Sequence, residues 1–215
     1  SSGLLTVAQT LKLIEPLAGI EGPGARMTPQ ALHLIAEAQK LAFADRNRYI
    51  ADPAFVQVPS GLLDDAYLAE RRNLISRAKA MDRPQAGLPP GASKRTHGDD
   101  ATHEAAGTSH VSIVDAQGNA VSMTTTIESA FGSRLMAAGF LLNNELTDFP
   151  LLPAGKDGVA AANRVEPGKR PRSSMTPVIG FGADGELEFV SGSPGGNRII
   201  QYMTKTLIAL IDWRM

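Results

Sequence analysis

The hydrophobic period of this chain changes once, from helical spacing to strand alternation, and a polar stretch of more than twenty residues separates the two halves. Residues 4–17 follow the helical period as far as Glu15-Pro16. Residues 19–25 contain three glycines and a proline and read as a connector. Thr28 suits a helix N-cap and Pro29 the first helical position, and Leu32, Ile35, Ala36, Ala38 and Leu41 recur on one face. That helix is expected to run to about Tyr49 and to end before Asp52-Pro53. A third helix fits residues 64–81 on Tyr67, Leu68, Leu74 and Ile75. Past Thr108, Val111, Ile113, Ala120, Val121 and Met123 lie in two strand-like runs joined by a turn at 115–119. Phe140-Leu141-Leu142 reads as a short buried run. Residues 178–181 and 187–190 read as a second hairpin around Asp184-Gly185. A Gly/Pro turn at 192–196 then leads into a helix from about Asn197, with Ile199, Ile200, Met203, Leu207 and Leu210 on its apolar stripe. Helices first and strands afterwards predict an α+β layered architecture, not a βαβ wind.

The separating stretch, residues 82–107, has no period: Pro84, Gly87, Pro89, Pro90 and Gly91 punctuate it, and residues 94–104 are almost wholly polar. Loops this long are usually functional or disordered. This one ends in Gly107-Thr108 at the first residue of a strand, which suits a self-cleaving precursor. Attack of the Thr108 hydroxyl on the Gly107 carbonyl gives an ester, and hydrolysis of the ester leaves Thr108 as a new N-terminus. Its α-amine, with a reference pKa of about 7.7–8.0, is then a general base for the hydroxyl on the same residue. From the residues alone, Gly-Thr before a strand is usually just an ordinary strand start. His97, Asp99, Asp100, His103 and Glu104 form a set able to bind a metal; a polar, disordered loop ahead of a processing site is the preferred reading.

Composition narrows the classes further. The absence of cysteine excludes disulfides, thiolate metal sites and a Cys nucleophile. With 21 basic and 22 acidic side chains the chain lacks the basic surplus that nucleic acid demands. No apolar run reaches the roughly 18 residues of a membrane span. The chain opens at Ser1 with no signal-peptide pattern and stops at residues 211–215 inside a helical pattern, so an internal piece of a longer protein is expected.

The run Thr108-Ser109-His110-Val111-Ser112-Ile113-Val114-Asp115, followed by Gly118-Asn119-Ala120-Val121, resembles the start of the small subunit of γ-glutamyltranspeptidases. Phe131-Gly132, Leu141-Leu142-Asn143-Asn144, Asp148-Phe149, Pro167-Gly168-Lys169-Arg170-Pro171, Ser173-Ser174-Met175-Thr176-Pro177 and Gly192-Ser193-Pro194-Gly195-Gly196 continue the likeness in order. Upstream, Ala36-Glu37-Ala38, Phe43-Ala44-Asp45-Arg46 and Asp52-Pro53 resemble the end of that family's large subunit.

The resemblance implies an N-terminal nucleophile hydrolase fold, a four-layer αββα sandwich of which this chain holds a part. It implies an enzyme matured by autocleavage at Gly107/Thr108, with 1–107 as the end of the large-subunit region and 108–215 as the start of the small-subunit region. Thr108 matches the nucleophile and Thr126 a threonine that hydrogen-bonds it; strand alternation puts Thr126 on the face of Thr124. Gly195 and Gly196 match the oxyanion-hole amides, and two glycines before a helix N-terminus suit that role physically. Ser173 and Ser174 match residues at the α-carboxylate of a γ-glutamyl group, and Asp148 the acid on its α-ammonium. Two positions depart from the pattern: Glu128 stands where the family's usual Asn would be, and Glu145 where its Gln would be. Both put acid near the amino-acid end of the substrate, which leaves the acyl preference open between γ-glutamyl amides and glutaryl-type amides. Lys169, Arg170 and Arg172 read as a solvated basic cluster. The implied partners are a small γ-glutamyl donor and an amino-acid or water acceptor, with no metal or organic cofactor. A periplasmic or extracellular location rests on the resemblance only, and an inert, uncleaved precursor fragment is the non-enzymatic alternative.

Overall fold

The computed structural model describes residues 2–92, 97–100, 102, 107–155 and 158–215. Its element order is helices, then hairpins, then a helix. Helix α1 spans Gly3–Ile14, α2 Pro29–Tyr49 and α3 Asp65–Arg72. Strands β1 (Ser109–Val114) and β2 (Ala120–Thr125) pair antiparallel, with Ser109 opposite Thr125 and Val114 opposite Ala120. A two-residue pair, β3 (Met136–Ala137) and β4 (Phe140–Leu141), follows. The hairpin of β5 (Val178–Phe181) and β6 (Leu187–Ser191) leads through a 3₁₀ turn at Gly196–Arg198 into α4, Ile199–Ile211. The α+β expectation holds.

Helix α2 forms as the sequence dictates. Thr28 accepts the Ala31 N–H at 3.2 Å as N-cap, and Pro29 opens the first turn. Its buried stripe is Ala31, Leu34, Ile35, Ala38, Leu41 and Ala42, continued by Asp45, Arg46 and Tyr49; Leu32 and Ala36, expected inside, are exposed. Leu13, Ile14, Leu34, Leu41, Leu68, Ile208 and Trp213 close one core between α1, α2, α3 and α4. A second core sets Val7 of α1 and Ile199, Ile200, Met203 and Leu207 of α4 against Met175, Val178 and Phe189. This layer fixes where α4 begins and therefore where the glycines before it stand. Helix α1 is docked at its start: Ser2 donates through its N–H and its hydroxyl to the Ser173 carbonyl at 3.1 and 2.7 Å. A Cβ on Gly3 would collide with Thr176 and the Ser174 carbonyl, so only glycine admits this approach.

Four expectations need correction. Helix α3 stops at Arg72, not near Met81. Beyond it, Leu74 is exposed and α2 side chains capture the departing backbone: His33 bonds the Ser76 carbonyl at 2.7 Å and Glu37 accepts the Met81 N–H at 2.7 Å. Phe140-Leu141-Leu142 is not a buried run; Phe140 is 74% exposed on a tight hairpin whose turn residues, Ala138 and Gly139, both have positive φ. Helix α4 ends at Ile211 instead of running through the last residues. The chain turns after Ile211: the Trp213 N–H bonds the Ile208 carbonyl and its buried indole donates to the Ile20 carbonyl at 2.8 Å. Leu210, expected on the α4 stripe, is exposed, and Ile208 takes that place.

Candidate functional site

The Gly107–Thr108 peptide lies at the foot of β1, beside the end of β2. The Thr126 hydroxyl, one residue past β2, donates to the Gly107 carbonyl at 2.9 Å and accepts the Glu128 N–H at 2.8 Å. Because that N–H occupies a lone pair, the Thr126 proton is directed at the carbonyl. The Thr108 hydroxyl bonds the same Gly107 oxygen. Two hydroxyls therefore converge on one carbonyl, and both polarise it. Gly107 also passes tightly against the Glu128 carbonyl, where a Cβ would not fit.

Behind this peptide is a cavity of about 20 Å³, room for roughly one water. Gly107, Thr108, Thr126 and Glu128 line it, together with Glu145 and Asp148 and with Ser173, Ser174, Met175, Gly196 and Ile199. Of the residues that the resemblance matched to the catalytic, cleavage and substrate-binding roles, all but Gly195 line this cavity. Gly195 keeps a strained place beside it, with φ of +137° and the Tyr202 ring where a Cβ would sit. Gly196 follows at φ of +57°, and α4 begins three residues later, so its N-terminal dipole end lies at the cavity. A wider cleft of about 380 Å³, which shares Gly107, Thr108, Thr126 and Glu128 with this cavity, runs along Ser109 and residues 125–130.

The cavity is acidic. Glu128 is buried with φ of +68°, and its carboxylate accepts from Asn144 and from the Ser129 hydroxyl, the latter at 2.7 Å. Glu145 opens a 3₁₀ turn, Glu145–Asp148, that ends in buried Asp148; the Glu145 Oε1 atom is buried and has no hydrogen-bond partner among the described residues. Ser174 is buried and accepts from Arg46 Nη2 at 2.6 Å. Ser173 accepts the Met175 N–H at 3.2 Å.

Arg46 and Asn144 were not singled out as site residues. The signal for Arg46 was present: Asp45 and Arg46 fall on the buried face of α2, where an unpaired charge is not tolerated. Asp45 explains itself as a hub, taking Gln9 Nε2 and the Tyr67 hydroxyl at 2.7 Å, the Gly87 N–H at 2.8 Å and Arg71 at 3.3 Å.

The basic cluster is not solvated as expected. Lys169 is buried, donating to the Ala162 carbonyl at 2.7 Å and to Glu166 at 2.8 Å, and Arg172 is buried against Asp100. Only Arg170 is exposed, and it grips Asp52 through Nε and Nη2 at 3.1 Å each. Hydrogen bonds from the Arg170 side chain and backbone hold the Asp52 carboxyl well below the usual carboxylate range. Within the loop, His103 and Glu104 lie outside the described residues. Asp99 and Asp100 face Arg48 and Arg172, and among the described residues no group is placed to hold a metal.

A model of the family described as gamma-glutamyltranspeptidase matches residues 1–215. The chain is 39% identical over 223 residues to the glutathione hydrolase proenzyme of Bacillus subtilis subsp. natto, covering 100% of this chain and 36% of that protein. It is also 39% identical over 219 residues to the acylase ACY 1 proenzyme of Pseudomonas sp. (strain V22), covering 100% of this chain and 35% of that one. The crystal structure of cephalosporin acylase from Bacillus halodurans superposes with a TM-score of 0.75 at 25% identity, over 99% of this chain and 34% of that chain. The chain spans about a third of the length of the curated relatives it matches.

Proposed function

The chain belongs to the gamma-glutamyltranspeptidase family and has part of the α+β, αββα fold of N-terminal nucleophile hydrolases, and on that premise we propose that it is the portion of a proenzyme in which Thr108 first cleaves its own chain and then hydrolyses or transfers γ-glutamyl groups. In the first reaction Thr108 Oγ1 bonds to the Gly107 carbonyl carbon through a five-membered ring. The carbon–nitrogen bond breaks, the hydroxyl proton ends on the Thr108 nitrogen, and water cleaves the resulting ester. The Thr126 hydroxyl stabilises the oxyanion that forms on Gly107 O. The observation that carries this reading is the convergence of the Thr126 and Thr108 hydroxyls on that one oxygen.

In the second reaction the freed α-amine takes the proton of Oγ1 as it attacks a γ-glutamyl amide, the amine leaves with that proton, and water or an amino acid accepts the acyl group. The amides of Gly195 and Gly196 receive the tetrahedral oxyanion, helped by the N-terminus of α4. A cavity with room for one water cannot hold such a substrate, so departure of Gly107 is the step that opens it. Residues 1–107 and 108–215 then belong to the large and small subunits.

Equal identity to an acylase favours a second reading, an acylase of glutaryl-type amides. The α-ammonium separates the two: Glu128, Glu145 and Asp148 offer three carboxylates to it, and a glutaryl group lacks it. Intact mass of the protein expressed from its full reading frame tests the proposal. Two pieces breaking between Gly107 and Thr108, absent in Thr108→Ala, are expected, together with faster turnover of a γ-glutamyl than of a glutaryl anilide. An uncleaved wild type contradicts the proposal, and the reverse preference moves it to the acylase.

A further inference from the structure

Resting on the γ-glutamyl reading above, we propose that Arg46 is the positioning residue behind Ser174 and sets the site's demand for a substrate α-carboxylate. Three carboxylate side chains, Glu128, Glu145 and Asp148, line the cavity. They suit an α-ammonium and repel the α-carboxylate carried by the same carbon. A site for the amino-acid end of a substrate therefore needs positive charge on its serine side. Arg46 supplies it: Nη2 donates to Ser174 Oγ at 2.6 Å, and Ser174 lines the cavity.

Both partners are held in place. Arg46 is 2% and Ser174 4% exposed. The Arg46 guanidinium stands over the Phe43 ring, 5.9 Å from its centre, three residues back on α2. The Arg46 carbonyl accepts the Ile50 N–H at 3.0 Å and Arg172 Nη1 at 3.3 Å. On the other side, the Thr176 hydroxyl donates to the Ser174 carbonyl at 2.9 Å, and Gly3 of α1 packs against that carbonyl. Arg46 lies before the cleavage bond and Ser174 after it, so the contact also joins the two mature subunits.

The contact acts in two ways. An oxygen that accepts from a guanidinium turns its own proton away from it. A carboxylate oxygen taking the Ser174 proton at the ordinary O–H···O length would lie about 4–5 Å from Arg46 Nη2. At that separation an opposite charge favours the ionised group. The bond from Arg46 also polarises the hydroxyl and strengthens the bond that the hydroxyl gives. Neutral contacts would fix a buried serine equally well, and a guanidinium is costly to bury; what Arg46 adds is charge behind the cavity wall.

Two anilides that differ only in the α-carboxylate, γ-glutamyl and 4-aminobutanoyl, test this on matured protein expressed from its full reading frame. Wild type is compared with Arg46→Met, Arg46→Lys, Ser174→Ala and the Arg46→Met/Ser174→Ala pair, with thermal midpoints alongside. In Arg46→Met, KM for the γ-glutamyl anilide should rise about thirtyfold, the size of one charge-assisted bond, with kcat within about threefold. The 4-aminobutanoyl anilide should lose less than about threefold in kcat/KM. Lysine keeps the charge without the planar fork and should lose about three- to tenfold, on the γ-glutamyl anilide alone. With Ser174 already alanine, Arg46→Met should add less than about threefold, because its route to the substrate is gone. Equal losses on the two anilides, an unchanged KM, or full additivity with Ser174→Ala makes Arg46 a packing residue and overturns the proposal. If Arg46→Met does not fold, Arg46→Lys decides by the same selectivity. A Ser174→Ala variant that loses equally on both anilides, or a wild type inactive on the γ-glutamyl anilide, removes the reading beneath it.

Discussion

Replacing Thr126 with valine removes one proton and one acceptor while keeping the side chain's shape. The 2.9 Å bond to the Gly107 carbonyl is lost, and the Glu128 N–H loses its 2.8 Å acceptor. The first loss acts on the barrier. A hydroxyl aimed at a developing oxyanion contributes about 3–4 kcal/mol, so self-cleavage should slow by about 10²–10³-fold. The second loss acts on stability: an unsatisfied buried N–H costs about 1–3 kcal/mol. At roughly 2–4 °C per kcal/mol for a chain of this size, that lowers the melting midpoint by a few degrees to about 12 °C. The two effects separate in one experiment. Aliquots incubated well below the melting midpoint are weighed by intact mass spectrometry over time, beside wild type and Thr126→Ser. Serine keeps the hydroxyl and should stay within about tenfold of wild type. A valine variant cleaving within threefold of wild type would show that the Thr126 bond is only a strand-end contact.

Three further outcomes are expected. Asp45→Asn leaves buried Arg71 without its carboxylate and should cost about 3–5 kcal/mol, read by chemical denaturation; a loss under 1 kcal/mol contradicts the hub. Asp52 has a depressed carboxyl pKa, so its ion pair stabilises the fold above the ordinary value of about 3.9 and fades as pH falls toward the lower folded value. The melting gap between wild type and Asp52→Asn should therefore be constant above about pH 5 and narrow below about pH 4; a gap unchanged down to pH 3 refutes the pairing. Glu145→Gln should lower kcat/KM for a γ-glutamyl anilide about tenfold while sparing a glutaryl anilide, as one charge facing an ammonium is worth about 1–2 kcal/mol; equal loss on both substrates contradicts an ammonium contact.

Helix α2 was legible because its signals are local: the cap, the proline and the stripe lie within one segment. Both long hairpins were legible for the same reason. The end of α3 was not, because His33 and Glu37, some forty residues upstream, decide where the backbone leaves. Phe140 was misread because hydrophobicity reports what a side chain avoids, not whether anything covers it. Lys169 and Arg172 look like surface charge in any local window; only tertiary contacts reveal their carboxylate and carbonyl partners. The polar loop ending in Gly107-Thr108 suggested a role for Thr108, which resemblance then strengthened, whereas the roles of Thr126, Glu128, Ser173 and Ser174 came from resemblance alone. Spacing alone does not bring positions 46 and 174 within 2.6 Å.

The central claim is that Thr108 Oγ1, once freed from Gly107, carries the acyl group. Rapid acid quench of the matured protein during turnover of a γ-glutamyl anilide, followed by peptide mapping, addresses it directly. The predicted result is a peptide that begins at Thr108 and carries one γ-glutamyl group, in ester linkage as long as the sample is kept acidic and moving to the α-amine as an amide when the pH is raised. A γ-glutamyl adduct on any other residue, or turnover by protein whose chain still runs unbroken through Gly107 and Thr108, would contradict it.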